Sequence, residues 1–326
     1  MVEQQGLLGS GWSRVARNKR YIVWFYILNL ALAWFGAGAF NTQAHSILDH
    51  SLQSKSLVHG FDVPVLIEMF SRPEFGPTGA SHGPVLHFAL LFFVLTVLFL
   101  PGVLQGYAST YRLPREDFFR ACGRNLWRFV RLLFVAGIVM GVVAGVLFAI
   151  EGFLVKKAGE STNELLSFEV GVVCLVVIFL KMTTLRIWFD LAQADVVLSD
   201  RKAVRKSIGI GFRHMWRSLG RLLGSYVITT MVAAVILVLG IWIWMKLIPA
   251  ASVGGAIFIA QLILLLLLIP RFWQRGIAVS YYLEHMVEPI AIQPFVPGPV
   301  VAPVESAPAP VSTPVIPGTP PDTQGE

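Results

Sequence analysis

Charge is what this sequence has least of. Only 14% of the 326 residues are Asp, Glu, Lys or Arg, where a soluble domain carries roughly a quarter. That scarcity excludes an ordinary soluble enzyme and a disordered, solvated regulator. Cysteine is almost absent: Cys122 and Cys174 are the two present. A disulfide framework is therefore excluded, and both read as small buried apolar residues. The collagen-like glycine period is missing, and so are the short alternating segments of a β-barrel. No nucleotide-binding loop, nucleophile elbow, paired catalytic carboxylates or zinc motif occurs. No catalytic residue is therefore assigned, and neither a metal nor a cofactor is called for.

Long apolar runs are what the chain does have. Hydrophobic residues make up 55% and mean hydropathy is +0.68. A spanning helix needs ~20 apolar residues. Runs of that length cover about 21–40, 84–106, 132–150, 165–185, 222–245 and 247–270. The fourth carries Glu169 and Lys181, with Lys181 close enough to its end to snorkel. The reading is an all-α integral membrane protein with six transmembrane helices. Residues 1–20 lead in, 21–285 form the membrane domain, 41–83 form one outer loop, and 286–326 form a tail.

Lys and Arg orient the spans. Twenty fall on one side of this topology and five on the other. Both termini are therefore placed in the cytoplasm of a bacterial inner membrane. A cleaved signal peptide is the competitor, with Ala37-Gly38-Ala39 as its cleavage site. The length of the first apolar run, with Trp24 and Trp34 inside it, favours a retained span. The net charge of +7 follows from orientation beside anionic lipid and calls for no nucleic acid.

The basic residues recur in a pattern. Arg124-Asn125-Leu126-Trp127-Arg128 precedes the third span and Arg213-His214-Met215-Trp216-Arg217 the fifth. Trp12-Ser13-Arg14-Val15-Ala16-Arg17 precedes the first. Arg186-Ile187-Trp188 and Arg271-Phe272-Trp273 end two of the even-numbered spans, each followed ten residues after its Trp by a Leu. Three helical hairpins are expected, each introduced by a basic amphipathic helix at the interface. At ~100° per residue, Phe118, Cys122, Leu126, Phe129 and Leu133 share one face. Arg120, Arg124, Arg128 and Arg131 take the opposite one. The later copy sets Ile208, Phe212, Met215, Leu219 and Leu222 against Lys206, Arg213, Arg217 and Arg221. Such helices lay the apolar stripe in acyl chains and the basic row among phosphates. Orientation during insertion is the plainer role for the charges, and anionic-lipid binding the sharper one.

Three further groups stand out. Gly137, Gly141 and Gly145 recur every four residues, which predicts close helix packing. Arg186 and Asp190 are four apart, with Gln193 continuing their face, which suggests a polar latch or part of a solute path. His45, His50, His59, His82 and His87 lie on or near the outer loop, but none has metal-site spacing. From Pro289 onward, 38 residues hold 11 of the 19 prolines and no basic residue. This tail is expected to be disordered with polyproline II character.

The leading basic helices at 118–131 and 203–221, with the segment Asp190 to Leu198, resemble a known group. It comprises six-span bacterial inner-membrane proteins related to the membrane domain that accompanies glycerophosphodiesterases. The resemblance implies the six-span layout over residues 10–288. No phosphodiesterase domain is present, and the resemblance implies no functional residues. The expected partners are membrane lipids with anionic headgroups, with a protein partner or a homo-oligomer possible. The expected role is non-enzymatic organisation of lipid or partner proteins at the cytoplasmic leaflet. Transport of a small solute or lipid is the alternative, and an intramembrane enzyme the third.

Overall fold

A computed structural model describes residues 6–48, 82–161, 164–201, 203–247 and 252–287. The described residues hold eight helices and no strand. They are α1 (Leu7–Arg17), α2 (Arg20–Leu48), α3 (His82–Ala108), α4 (Arg115–Gly159), α5 (Glu164–Leu198), α6 (Val204–Arg217), α7 (Leu219–Leu247) and α8 (Val253–His285). Residues 1–287 form one compact unit. Most of the outer loop and the Pro-rich tail from 288 onward lie outside the described residues, and the side chains of His45 and His82 with them.

Five helices are long and apolar enough to cross a bilayer: α3, α4, α5, α7 and α8. The first apolar run falls in α2, whose described apolar part, Arg20–Phe35, is a shorter helix. The protein is thus an all-helical membrane protein with five such helices among the described residues.

Local chemistry sets where helices break. α1 ends at Asn18 (φ −116°, ψ 33°) and α6 at Ser218 (φ −124°, ψ 27°). Asn and Ser side chains compete for the backbone and favour helix ends. The corresponding place in the remaining basic segment is Phe129, which offers no such competition. There the helix runs through as the 45-residue α4. α4 begins after Pro114, with Glu116 and Asp117 in its first turn and Lys156 and Lys157 in its last. Those charges complement the helix dipole. Ser252 caps α8 by accepting from the Gly255 amide at 3.3 Å.

Helices α3, α5 and α8 touch one another and form the centre. Around them α2 packs on α3 and α8, α4 on α5 and α3, and α7 on α8 and α5. α1 lies on α8 and α6 on α5. The N-terminal half of α4 lies on α3, where Phe118 and Cys122 close over Gly102.

Two of these seats match in detail. Trp273 Nε1 donates to Leu8 O at 2.9 Å, and Trp188 Nε1 donates to Ile208 O at 2.8 Å. A Cβ on Gly11 would lie 2.9 Å from the Ile277 amide nitrogen, and one on Gly211 would lie 3.0 Å from that of Ala192. Only glycine allows each backbone to approach so closely. The buried core gathers at this end of the bundle: Tyr21, Leu104, Tyr107, Phe129, Ile187, Leu191, Leu222, Tyr226, Phe272 and Ile277 are all closed off. Farther along, α4, α5, α7 and α8 expose most of their apolar side chains, as hydrocarbon-facing helices do.

Candidate functional site

The basic segments reach the surface differently from the expected arrangement. Their apolar stripes face protein, not acyl chains. Phe118, Cys122 and Phe129 are buried in the core around α3, and Met215 and Leu222 in the core of α5 and α8. Each helix is too closely seated on a neighbouring span to lie free in the interface. Bulky apolar side chains beside the stripe are exposed, Phe119, Trp127 and Phe134 on α4 and Trp216 on α6, and so is Phe212 of the α6 stripe itself.

The arginine row of α4 is partly committed to protein. Arg128 Nη1 lies 2.6 Å from Asp200 Oδ1, and Arg124 Nε lies 3.8 Å from the same atom. Asp200 stands in the left-handed region at φ 53°, which Asp tolerates better than most side chains. Arg120 pairs with Asp117 at 3.3 Å. The Arg131 guanidinium lies 5.1 Å over the Trp127 ring. Lys206, Arg213, Arg217 and Arg221 are exposed. Beside them, burial first and then Arg213 and Arg217 lower the pKa of His214.

Two open apolar grooves flank α4. One, about 750 Å³, runs between α4 and α6 and is lined by Trp127, Val130, Arg131, Phe134, Arg205 and Ile208. The other, about 780 Å³, runs between α3 and α4, with Phe93, Val97, Leu126, Leu133 and Gly137 among its walls. Both are long apolar clefts of a size that suits ligand chains.

The glycine stripe does not pack as expected. A Cβ on Gly137, Gly141 or Gly145 would meet nothing within 4 Å. The stripe points outward because α4 turns its other face, Leu132 and Ala136, into the core with α5. Close packing by glycine occurs instead at Gly11, Gly102, Gly211, Gly240 and Gly276.

The latch forms with a changed membership. Arg186 Nε approaches Asp190 Oδ2 at 3.8 Å. Gln193 is buried but hydrogen-bonds to neither. Tyr226 of α7 takes that place and donates to Asp190 Oδ2 at 2.9 Å. Gln274 Nε2 donates to Thr230 Oγ1 at 3.0 Å and ties α8 to α7. Arg271 and Arg275 of α8 both lie in electrostatic range of Asp190 and Arg186.

Comparison with protein-family models, curated proteins and solved structures finds no match. Among the described residues no cluster of three His, Cys, Asp or Glu could hold a metal. The sequence pattern did not single out Tyr226, and it used Arg271 and Arg275 for orientation and Arg271 in the repeated Arg-x-Trp motif, not as site residues. A signal was present. Arg271 and Arg275 stand four apart on one helix face, in the same register to Trp273 as Arg186 and Asp190 are to Trp188.

Proposed function

We propose that this chain is a non-enzymatic, six-span protein of the bacterial inner membrane that binds and orders anionic phospholipid at the cytoplasmic leaflet. In this reading α2 is the first span. The hairpins are α2/α3, α4/α5 and α7/α8, led by the basic segments α1, the start of α4 and α6, with both termini inside. The 20-to-5 division of Lys and Arg supports the orientation. The matched tryptophan bonds of α1 and α6 support a repeated design. The resemblance to six-span relatives of the glycerophosphodiesterase membrane domain belongs to the same proposal.

One observation carries the lipid assignment. The groove between α4 and α6 is apolar along its length and bears Arg131 and Arg205 in its lining. That pairing fits an amphiphile, with acyl chain along the wall and phosphate at the guanidinium groups. Each basic residue near an anionic surface contributes about 1 kcal/mol. Lys206, Arg213, Arg217 and Arg221 add exposed positive charge on α6 and the start of α7.

The test is lipid retention by purified protein, read by native mass spectrometry after extraction from mixed bilayers. Phosphatidylglycerol should be retained over phosphatidylcholine. The double variant Arg131→Gln/Arg205→Gln should lose that preference, and added salt should weaken it. Equal retention of both lipids would refute the proposal. A second reading, transport of a small solute or lipid, is favoured by the polar cluster around Asp190 and Tyr226. Flux into liposomes carrying the protein, abolished by Asp190→Asn, would support it.

A further inference from the structure

The polar groups where α3, α5, α7 and α8 meet do not balance in charge. Arg186, Arg271 and Arg275 bring three cations, and Asp190 brings one carboxylate. Asp190 is already engaged by the Tyr226 hydroxyl at 2.9 Å and by Arg186 at 3.8 Å. Arg271 and Arg275 donate no hydrogen bond to any described residue and have no carboxylate within 4 Å. The Arg275 guanidinium lies over the Phe272 ring, 5.3 Å from its centroid. That contact covers a face and leaves its edge donors without acceptors.

A second observation points to the same place. Tyr107 is fully buried, and its hydroxyl has no hydrogen-bond partner. It lies in electrostatic range of Arg275. A buried polar group left unpaired costs roughly 1–3 kcal/mol. The half-buried Arg275 guanidinium near it has no carboxylate partner either.

On α5 the pattern Arg-x-Trp is followed two residues on by Asp190, which closes the charge of Arg186. On α8 the same register holds Arg275, and the charge stays open. Arg271 and Arg275 stand one helical turn apart, ~5–6 Å along the axis. That separation lets two forked donors grip one tetrahedral oxyanion.

We propose that Arg271 and Arg275, supported by Arg186 and the Tyr107 hydroxyl, form a site for a phosphate group that opens to the surface at Arg271. The occupant is inorganic phosphate or the phosphate of a lipid headgroup. Its negative charge offsets the excess of two cations. The site is separate from the groove between α4 and α6 and does not rest on lipid binding there.

The experiment uses the full-length protein, purified in phosphate-free zwitterionic detergent. Thermal unfolding is followed against inorganic phosphate, against short-chain phosphatidic acid, and against chloride at matched ionic strength. Saturable stabilisation by phosphate or phosphatidic acid, and not by chloride, is the expected result. Stabilisation by phosphate assigns the free ion. Stabilisation by phosphatidic acid alone assigns the headgroup. Arg275→Gln should abolish the shift, yet unfold only slightly earlier than wild type without ligand, because the stacking contact on Phe272 is all that is lost. Arg271→Gln, at an exposed position, should weaken half-saturation roughly tenfold or more, as loss of a charged hydrogen bond does. It also serves if Arg275→Gln fails to fold. Arg131→Gln/Arg205→Gln should keep the phosphate response, which separates this site from the groove. No saturable response in wild type, or a full response in Arg271→Gln, would overturn the proposal.

Discussion

Replacing Gly276 by alanine should unseat α1 from α8, while the same change at Gly141 should not harm the protein. An ideal Cβ on Gly276 would stand 2.6 Å from Gly11 O and 3.1 Å from Val15 Cγ2. The nearer atom is backbone, so relief requires the whole of α1 to move. Overpacking of this kind costs about 1–3 kcal/mol. Helix propensity returns up to ~1 kcal/mol for Ala over Gly. Moving α1 also strains the bond from Trp273 to Leu8 O and those from Arg14 to Ser280 Oγ and Tyr107 O. Each contributes about 1 kcal/mol. The net expectation for Gly276→Ala is a loss of about 2 kcal/mol. At Gly141 only the propensity term acts, since the added carbon meets nothing. Gly141→Ala should be neutral, or more stable by up to ~1 kcal/mol. Reversible unfolding in mixed micelles, repeated in a bilayer, reads both. Equal stability of the two variants would refute the reasoning about α1. A loss at Gly141 would mean that another copy or a partner covers the stripe.

Trp188→Phe and Trp273→Phe should each cost about 1 kcal/mol in the same assay, because each removes one indole bond to a backbone carbonyl. Unequal losses would argue against equivalent seats for α6 and α1. The protein should lose stability as pH falls below the usual histidine range. Burial and the nearby Arg213 and Arg217 depress the His214 pKa in the fold. The unfolded chain therefore takes up the proton first, and stability falls from about pH 6.5 downward to the folded pKa. His214→Gln should flatten that slope, and an unchanged slope would rule the residue out. Reporter fusions at Lys55 and Gln324 should signal outside and inside respectively. A cytoplasmic signal at Lys55 would break the six-span topology.

What the sequence determined alone was whatever depends on composition and local periodicity. Apolar runs of bilayer length give spanning helices wherever they occur, since lipid leaves the backbone no other partner. Five appear as long apolar helices in the fold. The breaks at Asn18 and Ser218, and their absence at Phe129, also follow from local side-chain chemistry. Amphipathicity correctly separated Phe118, Cys122 and Met215 from the arginine rows, but it could not say what the apolar face would meet. Water, lipid and protein all sort side chains by polarity, so a helical stripe names no partner. Tertiary packing decided that α3, α5 and α8 cover those faces. It also turned Gly137, Gly141 and Gly145 outward and chose Gly11, Gly211 and Gly276 for the close approaches. A four-residue glycine repeat makes a helix face smooth, but the rotation of α4 decides whether anything lies against it. Asp190 was legible as a partner for Arg186 because four residues is one helical turn. Tyr226, Arg271 and Arg275 join that group from helices 36 to 85 residues away, and only the packing of α7 and α8 against α5 brings them there.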